Sequence, residues 1–277
     1  MKSRRVLFAV LPAVLGLGLA GVGAAGPAGA IPVPGGFTCT GNFSNYPVNA
    51  EVIPAGTYSS LTLPPGSACG IAGQVVVNGP VTLGRASGLG LVSGGSLTVN
   101  GPVTVGHDAA FGPLGVLAPI NVNGPLLIGP DGFVGLDSGG VSGPVLASAP
   151  SGLELYSIHV GGSVQILGGG GQNPVEELLY PTTPYRFTDL EGDVIAGPVT
   201  EIGYTGTGSS YGYGGAFIAN QTGPMTLIGN TVAPIAVEAN VIHGPATCFG
   251  NNPPPQDFGS STVTGPILGS QGHLCFG

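Results

Sequence analysis

A chain of 277 residues with 54 Gly and 27 Pro, yet 42% hydrophobic and only 6% charged, is neither disordered nor helical. Disorder needs a charged, apolar-poor chain, and so many helix breakers leave an all-β architecture with frequent tight turns. The formal charge of −8 sets the surface against nucleic acid and anionic membrane.

Residues 1–30 read as a secretory signal peptide. Lys2, Arg4 and Arg5 form a basic start, Val6 to Leu19 is an apolar run broken by Pro12 and two Gly, and Ala28-Gly29-Ala30 supplies a small-residue cleavage site. The run is too short and too rich in Gly to span a bilayer comfortably, so no membrane span is expected once it is removed. The Arg4-Arg5 pair leaves general secretory and twin-arginine export both open. Cleavage leaves Arg85 and Arg186 against 13 carboxylates, a formal charge of −11. The expected location is secreted, either extracellular or cell-surface.

Residues 31–74 are expected to form an N-terminal cap holding Cys39 and Cys69, residues 75–247 the repetitive body, and residues 248–277 a C-terminal coil and cap holding Cys248 and Cys275. In the body one phrase returns: Asn78-Gly79-Pro80-Val81-Thr82-Leu83-Gly84, Asn100-Gly101-Pro102-Val103-Thr104-Val105-Gly106 and Asn123-Gly124-Pro125-Leu126-Leu127-Ile128-Gly129. Weaker copies begin at Gly143, Gly162, Gly197, Gly223, Gly244 and Gly265. The intervals are 22, 23, 19, 19, 35, 26, 21 and 21 residues, and a pitch near 21 is that of one coil in a stack of short parallel strands.

Leu97, Val99, Val103 and Val105 alternate with Thr98 and Thr104 around Asn100-Gly101-Pro102, so two strands turn their apolar residues to one side across a bend. Gly and Asn suit a corner with positive φ. Proline has no backbone donor for a central ladder, which puts the recurring prolines at that corner. The expectation is an all-β, single-stranded right-handed parallel β-helix, a solenoid of about nine coils with its ends capped by disulfides. Four cysteines allow three connectivities; their positions before the first repeat and around the last favour Cys39–Cys69 and Cys248–Cys275.

The segment from Cys39-Thr40-Gly41 to Cys69, the Asn-Gly-Pro-Val-Thr coils and the ending from Cys248-Phe249-Gly250-Asn251-Asn252-Pro253 to Cys275 resemble a group of secreted actinobacterial right-handed parallel β-helix proteins of uncharacterised function. The coils are also loosely similar to bactofilin-type polymer-forming β-helices. The resemblance implies a fold and an export route, and carries over no catalytic residue.

Coils that stack make neighbours of residues in equal phase. His107, His159, His243 and His273 fall at four different phases, which argues against a metal or proton-relay column, and no Cys or His pair has metal-ligand spacing. Asp108 and Asp131 each lie seven residues after their repeat glycine. They would stack as a glycosidase pair or a weak Ca²⁺ site, but Asn230 and Asn251 share the phase, so the column reads as Asx turns. The outward Thr82, Thr104, Thr200, Thr226 and Thr247 are interrupted by Leu127, Leu146, Gln165 and Leu268, which fits a contact surface better than an ice-binding array.

Candidate ligand contacts are Glu176, Glu177, Asp189, Glu191 and Asp193 in the 35-residue interval, with Tyr204, Tyr211 and Tyr213 in a Gly/Ser-rich stretch. No catalytic, cofactor-binding or metal-binding residue is assigned, and no cofactor. The leading expectation is a structural or interaction protein without catalytic activity. Its partner would be cell-envelope glycan, a surface protein or another copy of itself; the alternative is a polysaccharide-binding or polysaccharide-cleaving β-helix.

Overall fold

The computed structural model describes residues 35–43, 50–92, 94–113, 118–175, 186–206, 215–231 and 234–277. The expected export signal, Glu176, Glu177, Tyr211 and Tyr213 lie outside the described residues.

Short strands build three sheets of eleven, ten and ten strands, each sheet collecting every third strand of the chain. Neighbours run parallel and in register, as where Val103, Thr104 and Val105 face Val81, Thr82 and Leu83. The result is a parallel β-solenoid of about ten turns with three walls, roughly 48 Å long at the usual strand spacing. It exceeds the expected nine coils because Phe37–Thr38 and Leu61–Leu63 already belong to the first sheet, although no Gly-Pro phrase precedes them.

The alternation read around Gly101 is that of the structure. Leu97, Val99, Val103 and Val105 are wholly buried, and Thr104 faces out. In the first sheet Val81, Val103, Leu126, Val145, Val164 and Val199 stack in one buried column. Each such side chain removed from water contributes about 1.5–3 kcal/mol.

The Gly-Pro phrase does stand at the corner entering this sheet. Val81 N–H donates to the Pro102 carbonyl, Val103 to Pro125 and Leu126 to Pro144, each at 3.0 Å. Every proline thus accepts a bond between coils while its missing N–H leaves nothing unpaired. The glycines are needed for a different reason from the one expected. Gly101 and Gly124 do not take positive φ; a Cβ on Gly124 would sit 2.5 Å from the Gly101 oxygen, and one on Gly101 would sit 2.6 Å from the Gly79 oxygen. Backbones stack there with no room for a side chain. Beside them Asn100 Nδ2 donates to Asn78 Oδ1 at 2.9 Å, and Asn123 Nδ2 to Asn100 Oδ1 at 2.8 Å.

Left-handed backbone occurs at the next corner, between first and second sheets: Ala86 (φ 52°), Asp108 (57°), Asp131 (52°) and Ala149 (49°), then Gly168, Gly203 and Gly229. Strand length sets the phase at which each coil reaches this corner. Val103–Val105 has three residues, whereas Val145–Ser148 and later first-sheet strands such as Met225–Ile228 have four. Counting from the repeat glycine therefore slips by one residue, and Asn230 does not share the position of Asp131; Gly229 does.

Both disulfides form as expected, Cys39–Cys69 and Cys248–Cys275. The second ties the last coils to a short helix, Gly272–Phe276, whose Cys275 and Phe276 are buried. Loops of this length lose conformational freedom in the unfolded chain worth about 3–4 kcal/mol per bridge.

Candidate functional site

Charge gathers on the outer face of the second sheet. Strand Gly152–Tyr156 lies against Thr188–Glu191, with Glu154 opposite Asp189 and Tyr156 opposite Glu191. Leu153, Leu155 and Leu190 point into the core, so strand alternation turns both carboxylates outward. Asp137 follows Leu136, the partner of Leu155, and Glu238 continues the Glu191 column by way of Ile218.

Toward the N-terminus the Glu154 column becomes Gly70, Gly90 and Gly135. These glycines face outward yet are buried, and beside them the chain folds over part of this sheet. Leaving the first sheet after Leu167, residues 168–175 run back toward earlier coils: Gly170 N–H donates to the Pro150 carbonyl at 2.7 Å. Asn173 Nδ2 donates to the carbonyls of Ala109 and Asp131 at 2.9 and 2.7 Å. Val175 then joins Ala110, Phe133, Phe43 and Ala86 in a small apolar cluster outside the tube. The first part of the 35-residue interval is thus a strap on the second sheet, and the carboxylates lie on the same wall.

Partial burial governs their protonation. The Glu154 carboxyl is pushed up to about 8, by burial first and then by Asp137, Asp189 and Glu191. Asp189 rises to about 7 through burial and the Glu191 charge. Burial also raises Asp137, and burial with the Glu238 charge raises Glu191. Asp189 Oδ1 is shut from solvent with no hydrogen-bond partner among the described residues. Strand spacing puts the two carboxyls about 5 Å apart, the separation of a retaining glycosidase pair, and burial raises both toward neutrality.

The other candidate residues separate. Asp189 and Glu191 share the outer face, but Asp193 does not join them. It is 1% exposed and heads a ladder on the corner between second and third sheets. Asp193 Oδ1 accepts from Ile158 N–H at 2.7 Å, Asn220 Oδ1 from Asp193 N–H at 3.0 Å, and Asn240 Oδ1 from Asn220 N–H at 3.0 Å. Tyr204, expected in a loop, is fully buried; its N–H donates to Asn230 Oδ1 at 2.9 Å and its hydroxyl to the Ser151 carbonyl. Its ring lies against the backbone of Gly169 and Gly206, and nothing in a Gly/Ser/Tyr stretch marks that inward turn.

Asp108 and Asp131 do stack at one corner, and His107, expected to stand apart, lies between them. Its Nδ1 is 2.6 Å from Asp108 Oδ2 and its Nε2 3.7 Å from Asp131 Oδ2, while Arg85 Nε is 3.3 Å from Asp108 Oδ2. Ligand atoms around a zinc ion with bonds of about 2.0–2.2 Å stand roughly 3.3 Å apart. The close His107–Asp108 contact and the guanidinium already on Asp108 make this a chain of side-chain contacts around one Arg85–Asp108 ion pair. The Cys39, Glu51 and Cys69 cluster has its sulfurs committed to a disulfide.

Glu154, Asp137 and Glu238 are not among the sequence candidates. A signal for the central pair is present: Glu154 and Asp189 each stand eight residues before the next repeat glycine, Gly162 and Gly197. Counting forward crosses the interval and hides the match; counting backward reveals it.

The first sheet offers the opposite surface. Its one acid, Glu201, points inward, fully buried, and accepts a bond from the Thr188 hydroxyl at 2.5 Å. No charged side chain of its eleven strands faces out, and Leu167, Ile202, Phe249 and Leu268 are exposed large apolar residues on it.

These features define a disulfide-closed parallel β-solenoid with an acidic second wall and with first and third walls whose strands turn no Asp, Glu, Lys or Arg outward; the first alone carries a row of large exposed apolar residues. No family model, curated protein or solved structure matches the chain. Among the described residues no helix is long and apolar enough to cross a membrane.

Proposed function

We propose that this chain is an exported structural or interaction protein, acting outside the cell or on its surface without catalytic activity, and that the uncharged first wall is its contact face. The observation that carries this reading is the absence of any outward charge across eleven strands in a chain whose formal charge is −8. Monomeric proteins seldom leave large uncharged apolar patches without a partner. The basic, apolar and small-residue order of residues 1–30, the end disulfides and the resemblance to secreted actinobacterial β-helices support export. The expected result in cell fractionation is retention of the protein on envelope material, with Ile202→Lys releasing at least tenfold more into the medium. Equal release of parent and variant would count against the contact face.

A second reading, a polysaccharide-binding or polysaccharide-cleaving solenoid, is favoured by Glu154 and Asp189. A glycan array with a reducing-sugar assay separates the two. Under the second reading Glu154→Gln lowers turnover at least 100-fold; under the first the parent protein releases no sugar ends.

A further inference from the structure

We propose that the uncharged wall is a homodimer interface, on which a second copy of this chain docks face to face; the inference rests on the contact-face reading and names its partner. Two outward columns make up the wall. One is largely threonine, with Leu127, Leu146, Gln165 and Leu268 in place of Thr in four coils. The other appears where strands have four residues and runs Ser148, Leu167, Ile202, Ile228, Phe249. Gly168, Gly203, Gly229 and Gly250 form the adjoining corner, so no side chain stands above the plane there to hold off a flat partner.

Charge selects the partner. The described carboxylates of the second sheet would repel their own kind, the strands of the first and third sheets carry no outward Asp, Glu, Lys or Arg, and of these two the first bears the exposed Leu167, Ile202, Phe249 and Leu268. Two copies of the neutral wall meet without that cost, and burying Leu167, Ile202 and Phe249 supplies the gain. Area sets the strength. Eleven strands at about 4.8 Å and an outward width of roughly 12 Å give about 600 Å² per partner, near the lower edge of standard interfaces, which fits a reversible dimer. Covering the whole wall symmetrically needs a two-fold axis in its plane, running either along the coil axis or across it at the sixth of eleven strands, Val145–Ser148; in both cases Leu146 of the two copies come close.

Sedimentation velocity on the purified protein from 1 to 200 µM should show concentration-dependent dimer. Ile202→Lys should weaken association at least tenfold with an unchanged unfolding midpoint, and Val194→Lys, equally exposed but on the third sheet, should leave it intact. Every native cysteine is in a disulfide, so Leu146→Cys adds a single thiol. That variant should cross-link into dimers through a short thiol-reactive linker far more than Val194→Cys. A monomer at 200 µM overturns the dimer, as does a dimer disrupted by Val194→Lys and not by Ile202→Lys. Envelope retention abolished by Ile202→Lys in a strictly monomeric protein would overturn the dimer and keep the contact face. If neither association nor retention responds to Ile202→Lys, both fail.

Discussion

Thermal unfolding should occur at the highest temperature near pH 4 and at steadily lower temperatures up to about pH 8. Four buried or half-buried carboxyls set this slope: Asp189 and Glu201 raised to about 7, Glu154 and Asp193 to about 8. Between an unfolded value near 4 and these folded values, the native chain holds protons that the unfolded chain has released, so stability falls as pH rises. It is fully present below pH 4 and lost through pH 7–8. Glu154, Asp189 and Asp193 share the charges that raise them, so their contributions overlap and the slope is shallower than four independent groups would give.

Asp193 gives the sharpest form of this expectation. Its ladder neighbours are asparagines whose Nδ2 groups bond the carbonyl one coil back: Asn240 to Phe217 and Asn220 to Leu190, both at 2.7 Å. Leu155 pairs with Leu190 as Leu190 pairs with Phe217, so the carbonyl owed to position 193 is that of Leu155. A carboxylate cannot donate to it, and Asp193 Oδ2 is buried without a partner among the described residues. A protonated carboxyl can donate, as can an amide. Burial lifts Asp193 first, Ile158 N–H opposes the shift, and Asp189 and Glu191 add to it. Asp193→Asn should therefore raise the unfolding midpoint at pH 8 by several degrees and change it little at pH 4. A midpoint flat between pH 4 and 8, or a variant less stable than the parent at pH 8, would refute this.

Gly124→Ala should be among the most damaging single-methyl changes in the chain. Its Cβ would meet the Gly101 oxygen at 2.5 Å and the Gly101 carbon at 2.7 Å, backbone atoms already tied into the stack, so two coils must part. A loss of about 3 kcal/mol or more is expected. Gly66→Ala is the control: its φ is +74° but nothing lies within 4 Å of the added carbon, and the strain of left-handed backbone costs about 1 kcal/mol. Urea unfolding of the two variants checks the order. Equal losses would mean that backbone conformation rather than coil contact selects glycine in the phrase.

The stack, the proline corner and both end bridges are legible in the sequence because each coil repeats the same local problem. A short strand must bury alternate residues, then turn without wasting a donor. The features that stay hidden depend on counting across unequal coils. A fourth residue in strands such as Met225–Ile228 moves Asn230 from the corner position of Asp131 to an inward one, where it accepts from Tyr204 N–H. Phase alone sets His107 apart, but a long side chain at one coil reaches carboxylates on two. Glu154 stays concealed because its partner strand arrives only after a 35-residue detour.

In a tube of windings each turn leans chiefly on the one above and the one below, apart from the strap at Asn173 and Val175, and among the described residues nothing binds the first winding to the last. Such an object has no single keystone. With the terminal bridges reduced, it should unravel from its tips like a loosened spring, and amide exchange should start at the extremities and reach the middle windings last.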